Sequence, residues 1–317
     1  MSKRVISLFA GIGGFDLGFQ RAGFEIVAHV ERDAKCRELL ADKWPNAVAL
    51  DDVCTAGAHN LPPCDVVTFG FPCQDLSVAG KRAGLSGGRS GLFYEATRII
   101  NELKPAFCIW ENVPGLLSSD RGRDFWRVLR QMDEIGYHGA WRTLDAQWFG
   151  VAQRRRRVFG LFSRLDSGAE RCAQVLSIGE SLRGHPAPRR ETGKVAPCLA
   201  ASGAGAGRTG NERTELDFCI EQSVMPTLRD GASQDGRGTE RNTGLAHVGM
   251  AVRRLTPTEC ERLQGFPDGW TAGFADSTRY KMLGNAVCVN VSEWIAKRMA
   301  VRIGEQNDQA QILSEAK

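Results

Sequence analysis

No two of the ten cysteines lie within three residues of one another. That spacing excludes a Cys-x-x-Cys zinc knuckle or redox pair. The five histidines (His29, His59, His138, His185 and His247) are equally scattered, so no metal is expected. A secretory signal, a long apolar span and a lipidation motif are also missing. These absences predict a cytoplasmic chain with no membrane partner and reduced thiols rather than a disulfide framework. Charge of one sign is lacking as well: 41 Lys plus Arg stand against 37 Asp plus Glu, a formal net of +4. The excess is unevenly placed. Between Val151 and Arg254, 17 Lys and Arg face 11 Asp and Glu, a local net of +6 that leaves −2 for the rest. Such a segment is either a solvated face or the footprint of a phosphate backbone. The run Arg154-Arg155-Arg156-Arg157 favours the second.

What is present reads as alternating strands and helices. Arg4 to Phe9, Phe24 to Val30, Asp65 to Phe69, Ala106 to Trp110 and Arg157 to Phe162 are short β-rich runs. Phe15 to Ala22, Asp33 to Lys43, Arg89 to Leu103 and Arg123 to Ile135 carry helical spacing between them. This rhythm predicts an α/β fold with a mainly parallel sheet covered by helices. It stops after about Ser163. From Gly179 to Met250, 12 of 72 residues are glycine, while Val195 to Leu199 and Val224 to Leu228 remain as apolar anchors, which favours a small loop-rich domain over a linker. Helical signals return at Thr256 to Leu263, with Thr256 as N-cap and Pro257 at the first helical position, and again from about Ala286 to Val301. Beyond Gly304 the chain is polar and is expected to fray.

Two turns carry chemistry. The first strand runs into Phe9-Ala10-Gly11-Ile12-Gly13-Gly14-Phe15-Asp16, a glycine turn opening a helix, where a ligand is met beyond the carboxyl ends of the strands. A dinucleotide fingerprint needs a third glycine where Asp16 stands, so a pyrophosphate site is disfavoured. Glu31, ending the second strand, suits both hydroxyls of a ribose, and Asp52 suits an adenine amine, which together describe a nucleoside pocket. In the second turn, Gly70-Phe71-Pro72-Cys73-Gln74, Cys73 directly follows a buried strand and faces the next helix. That position suits an activated thiolate nucleophile.

The order of these motifs resembles the cytosine-C5 DNA methyltransferases, which use S-adenosylmethionine. Phe9 to Gly14 is similar to the family's cofactor loop, Glu31 to its ribose-binding acid, Asp52 to its adenine-contacting acid and Gly70 to Gln74 to its catalytic turn. Glu111-Asn112-Val113 matches its Glu-Asn-Val. Gln153-Arg154-Arg155-Arg156-Arg157 matches its Gln-x-Arg-x-Arg, with Arg155 and Arg157 at the arginine positions. Arg253 to Thr256 with Leu263 to Pro267, and Gly284-Asn285-Ala286-Val287, resemble its later motifs.

The resemblance implies a Rossmann-like methyltransferase fold with S-adenosylmethionine as cofactor, S-adenosylhomocysteine as product, and Phe9, Gly11, Gly13, Gly14, Glu31, Asp52, Val53, Pro72, Leu92, Asn285 and Val287 around the cofactor. Carbon 5 of cytosine is too weak a nucleophile to take a methyl group unaided, so Cys73 adds to carbon 6. Glu111, its pKa raised by an apolar setting, serves the ring at N3. In isolation Glu111 reads instead as a strand-end acid paired with an arginine. Arg155 and Arg157 alternate on an extended segment and point together toward the base and its phosphate, while Arg154 and Arg156 face away. Carbon 6 is inaccessible in a stacked duplex, so the base is flipped out. Ser77 to Gly91, rich in glycine, is expected to close over the DNA, and Gln74 and Ser77 are expected to touch it.

The implied division is a catalytic and cofactor-binding part at 1–177, a target-recognition domain at 178–280, a returning helix at 281–303 and a tail at 304–317. Arg183, Arg189, Arg190, Arg208, Arg213, Arg229, Arg237 and Arg241 are candidates for phosphate or guanine contacts. Double-stranded DNA is the expected partner of a monomeric, bacterial or phage-type, nucleoid-associated enzyme, with a cognate restriction endonuclease acting separately. Methylation of tRNA cytosine and a catalytically dead DNA-binding regulator stand as alternatives. A nicotinamide oxidoreductase would leave Cys73, Glu111 and the arginine run unexplained.

Overall fold

Val5, Ile6 and Leu8 leave little polar surface to the segment Lys3–Leu8, which forms a strand (β1) buried on both faces, as a central parallel strand must be. A computed structural model describes residues 3–71, 91–178, 218–223 and 249–315, with backbone alone at 218–223, 249–254 and 303–315. After β1 come α1 (Gly14–Arg21), β2 (Phe24–Val30), α2 (Ala34–Lys43), β3 (Val48–Leu50), β4 (Val66–Phe69), α3 (Leu92–Leu103), β5 (Phe107–Asn112), α4 (Arg123–Glu134), β6 (His138–Asp145), β7 (Arg156–Ser163) and α5 (Gly168–Leu176). Then follow β8 (Phe218–Ser223), β9 (Gly249–Arg254), α6 (Pro257–Gln264), α7 (Asp276–Asn285) and α8 (Val289–Glu315).

Among the described residues, seven strands form one sheet in the order β3-β2-β1-β4-β5-β7-β6. The first five pair in parallel, whereas β7 runs antiparallel to both β5 and β6. The expected mixed, mainly parallel Rossmann-like sheet is therefore present. Strands β8 and β9 pair separately, antiparallel.

Alternation along the strands divides the interior in two. Val5, Phe15, Phe19, Ile109, Leu283 and Ile295 lie in the cluster beneath α1 and α8, while Ile6, Leu8, Phe69, Phe93, Trp110 and Val128 lie in the one beneath α3 and α4. Each such side chain contributes roughly 1.5–3 kcal/mol on burial, so both faces of the sheet are held by their helices.

Several elements differ from the expectations. Strand β6 was not anticipated, and its burial explains why: it is an edge strand with Leu144 as its one buried residue, so it shows no apolar alternation. The helical rhythm continues past Ser163 into α5, which buries Cys172, Val175 and Leu176. The capping box at Thr256 and Glu259, with Pro257 at the helix start, is as the sequence suggests. Leu255, Cys260, Phe266, Met282 and Leu283 share a core with Phe15 and Ile109, so α6 and α7 pack on the main sheet although the expected small domain extends to 280. The last helix starts at Val289, and its backbone continues to Glu315, through the segment expected as a polar tail. Among the described residues no helix is long and apolar enough to cross a membrane.

Candidate active site

The chain leaves β1 to build β2 and β3 on one side and then β4 and β5 on the other. The carboxyl ends of β1 and β4 therefore flank the switch point where α/β sheets open a crevice. The loop after β1 is bent by three left-handed residues, Phe9 (φ 54°), Gly11 (φ 57°) and Gly13 (φ 82°). A side chain at Gly14 would overlap the carbonyl oxygen of Val287, so glycine is what lets α1 begin directly against the α7–α8 turn. Among the described residues, and apart from its chain neighbours, no heavy atom lies within 4 Å of where a Cβ on Gly11 would stand. That open backbone is what close approach of a ligand requires.

Glu31, just past β2, accepts hydrogen bonds from the backbone N–H of Gly11 at 2.7 Å and of Asp33 at 2.7 Å, one on each carboxylate oxygen. Both oxygens retain lone pairs, and the two bonds fix their direction, as a group receiving two adjacent hydroxyls needs. Asp52 is exposed two residues after β3. Its Oδ1 accepts from Cys54 N–H at 2.9 Å, which holds the carboxyl below the usual carboxylate range. Val53 beside it is buried. Leu92 opens α3 and packs, partly buried, against the α3–α4 core.

The opposite wall comes from the second half of the chain. Trp270 donates its indole N–H to Ile12 O at 3.0 Å, and Gln264 donates to Leu283 O at 2.8 Å. Asn285 ends α7 and is exposed, and Val287 is partly buried in the following turn. Arg155, itself buried, donates through one terminal nitrogen to Gly284 O at 3.1 Å and Ala286 O at 3.0 Å. The expected alternation is present, with Arg154 and Arg156 exposed. Beyond what the sequence suggests, one terminal nitrogen of Arg155 grips the turn that carries Asn285, and its charge also acts on Glu111.

Arg157 places its Nε 3.0 Å from Glu111 Oε1. Burial pushes the Glu111 carboxyl above its ordinary pKa, and the nearby charges of Arg157 and Arg155 oppose that without cancelling it. Both readings of Glu111 thus meet in one residue: an arginine-paired acid that is also biased toward its neutral form.

A Cβ on Gly70 would lie 3.9 Å from Glu111 Oε2, which places this acid at the root of the turn after β4. Asn112 supplies a second tie by donating its amide to Phe71 O at 2.9 Å, and Phe71 is packed among Phe69, Phe93 and Trp110. The role of Asn112 was legible only as the middle letter of Glu-Asn-Val. Pro72, Cys73, Gln74 and Ser77 lie outside the described residues, as do the segment to residue 90 and the arginines from Arg183 to Arg241. Among the described residues no three His, Cys, Asp or Glu side chains gather as metal ligands do.

Comparison with known proteins gives one consistent picture. A family model described as C-5 cytosine-specific DNA methylase matches residues 3–171 and 210–300. The Type II methyltransferase M2.BsuMI of Bacillus subtilis is 30% identical over 316 residues, covering 96% of this chain and 77% of the relative. The Type II methyltransferase M.HhaI of Haemophilus parahaemolyticus is 29% identical, covering 92% of this chain and 93% of its own. Among solved structures, the S. pombe Dnmt2 methyltransferase superposes with a TM-score of 0.62 at 19% identity, covering 94% of this chain and 98% of its own, a likeness of fold.

Proposed function

Because the chain belongs to the C-5 cytosine-specific DNA methylase family, we propose that it transfers a methyl group from S-adenosylmethionine to carbon 5 of a flipped-out cytosine in a specific double-stranded DNA sequence. The observation that carries this reading is Glu111. A buried carboxyl biased toward its neutral form and paired with Arg157 stands at the root of the turn leading to Cys73.

The residues divide the work. Cys73, as thiolate, adds to carbon 6, forming the Cys73–carbon bond and moving the carbon 5–carbon 6 electron pair toward carbon 5. Glu111 in its neutral form donates to N3 and stabilises the negative charge that addition pushes onto the ring. Arg157 holds Glu111 in line and offers its remaining N–H groups to the base. S-adenosylmethionine, when bound, supplies the electrophilic methyl group. Water then takes the carbon 5 proton, whose bonding pair re-forms the carbon 5–carbon 6 double bond as Cys73 leaves as thiolate, and N3 returns its proton to Glu111.

The described residues fit that cofactor. Glu31 is oriented for two ribose hydroxyls, Asp52 is an exposed acceptor for an adenine amine, and the open backbone at Gly11 meets the remainder beside Asn285 and Val287. Target recognition falls to 178–254, since the chain from Leu255 onward packs on the main sheet. Gln74 and Ser77 serve the DNA side of the pocket. A monomer acting on DNA apart from a cognate endonuclease completes the reading. The test is base-resolution methylation sequencing of plasmid DNA after expression in a host lacking cytosine methylation. 5-Methylcytosine in one recurring motif is expected, and its absence with folded, cofactor-binding protein would overturn the proposal.

A further inference from the structure

Strand β3 is a poor support for a ligand-binding acid. It has three residues, two of them exposed, and it pairs on one side alone because it is the edge of the sheet. The turn that follows, carrying Asp52 and Val53, therefore needs other restraints to hold a fixed shape.

Those restraints come from α3. Arg98 donates through one terminal nitrogen to Val53 O at 3.2 Å and Ala56 O at 2.8 Å. Its own position is set from both sides along the helix: Nε donates to Glu95 at 2.7 Å and the other terminal nitrogen to Glu102 at 2.7 Å. Glu102 then continues the clamp, since its second oxygen accepts from Ala58 N–H at 3.0 Å. A Cβ on Gly57 would stand 2.5 Å from that same oxygen, so glycine there is what allows the carboxylate to come this close. Within the turn, Cys54 N–H and Thr55 Oγ1 bond back to Asp52, and Asn60 spans Thr55 O and Gly57 N–H. The segment from Asp52 to Asn60 is thus a closed loop pinned to one helix at three backbone points.

We propose that Arg98, with Glu102, is a positioning residue for the cofactor: it fixes the turn that presents Asp52 and Val53 to the adenine end of the pocket. The proposal rests on the methyltransferase reading above. A planar guanidinium with five donors can meet two carbonyls and two carboxylates at once, whereas an ammonium carries three donors on a point charge, so Arg98→Lys keeps the charge and loses the clamp. The effect belongs to binding rather than chemistry, because among the described residues Arg98 bonds to the backbone of the turn and to its own helix.

The experiment is calorimetric titration of the full-length protein with S-adenosylhomocysteine, combined with steady-state methylation. Arg98→Lys is expected to raise the dissociation constant about tenfold, with KM for S-adenosylmethionine rising in parallel and kcat at saturating cofactor holding. Asp52→Ala is expected to weaken binding as well, and the double variant to be no weaker than the worse single one, because both changes remove the same contact. Glu102→Gln, which leaves Arg98 intact, provides a second route should Arg98→Lys fail to fold, and is expected to weaken binding in the same direction. Unchanged affinity in both α3 variants, or full additivity with Asp52→Ala, overturns the clamp. Failure of the wild-type protein to bind S-adenosylhomocysteine overturns the cofactor reading itself, a result distinguishable from either.

Discussion

Asn112 donates its side-chain amide to the backbone carbonyl of Phe71 across 2.9 Å, joining the end of β5 to the turn that leads into Cys73. The neighbouring Glu111 lies against Gly70 of the same turn. In the proposed mechanism that amide links the acid's strand to the segment preceding the nucleophile, so Asn112→Ala is expected to lower kcat at least about tenfold with cofactor affinity retained. It leaves the buried Phe71 carbonyl unsatisfied, a loss of about 1–3 kcal/mol in denaturant melts. Wild-type turnover in this variant would show that the amide serves packing alone.

Cys73→Ala is expected to abolish methyl transfer while DNA binding persists. Gel-shift titration beside tritiated-methyl incorporation separates the two, and residual turnover would exclude the thiol as nucleophile.

Glu111→Gln is expected to slow transfer by about 10²–10⁴-fold, the range for a general acid, with cofactor affinity unchanged. The same residue gives a signature in stability. Its folded pKa is raised above the ordinary 4.5, mainly by burial. The neutral form's contribution is then fully present below that ordinary value and is lost as pH rises through the folded one. Urea midpoints followed across that window should fall more steeply for wild type than for Glu111→Gln, and parallel curves would contradict the shift.

Arg155→Ala and Arg157→Ala are expected to part company. Removing Arg155 leaves Gly284 O and Ala286 O unbonded in the interior, so stability should fall by about 2–4 kcal/mol and KM for S-adenosylmethionine should rise. Removing Arg157 takes away the larger of the two charges that oppose the burial of Glu111 and should act on kcat with little change in KM. Identical kinetic profiles for the two variants would refute this division.

Gly14→Ala forces a methyl group into the Val287 carbonyl, a backbone atom that cannot swing aside. A destabilisation of about 1–3 kcal/mol is expected, together with weaker cofactor binding, by denaturation and calorimetry. Normal stability would mean that the α7–α8 turn yields more readily than its hydrogen bonds suggest.

The sequence declared the parallel half of the sheet because β1, β2, β4 and β5 are buried over most of their length and read as β-rich runs with few polar interruptions. It hid β6, whose exposed edge imposes no pattern. The site was legible where a motif names a residue type, as at Glu31 and Glu111. It was not legible where function depends on what lies across a gap. Alternation placed Arg155 and Arg157 on one side of their segment, yet only tertiary packing separates an arginine that grips a turn from one that meets an acid. Arg98 gave no sign at all, since a charged residue on an amphipathic helix is ordinary until its carbonyl partners are seen.

Strand β7 is inserted against the direction of β5. A reversed strand delivers its first residues to the rim where its neighbours deliver their last. The segment 146–155 that enters β7 therefore belongs to the working rim of the molecule, while the turn at 164–167 that leaves it belongs to the far one. Along this stretch of chain, distance from the chemistry is measured by which end of β7 a residue approaches and not by how many positions separate it from Arg157. A change of loop length is therefore expected to disturb the site more at the entry segment than at the far turn.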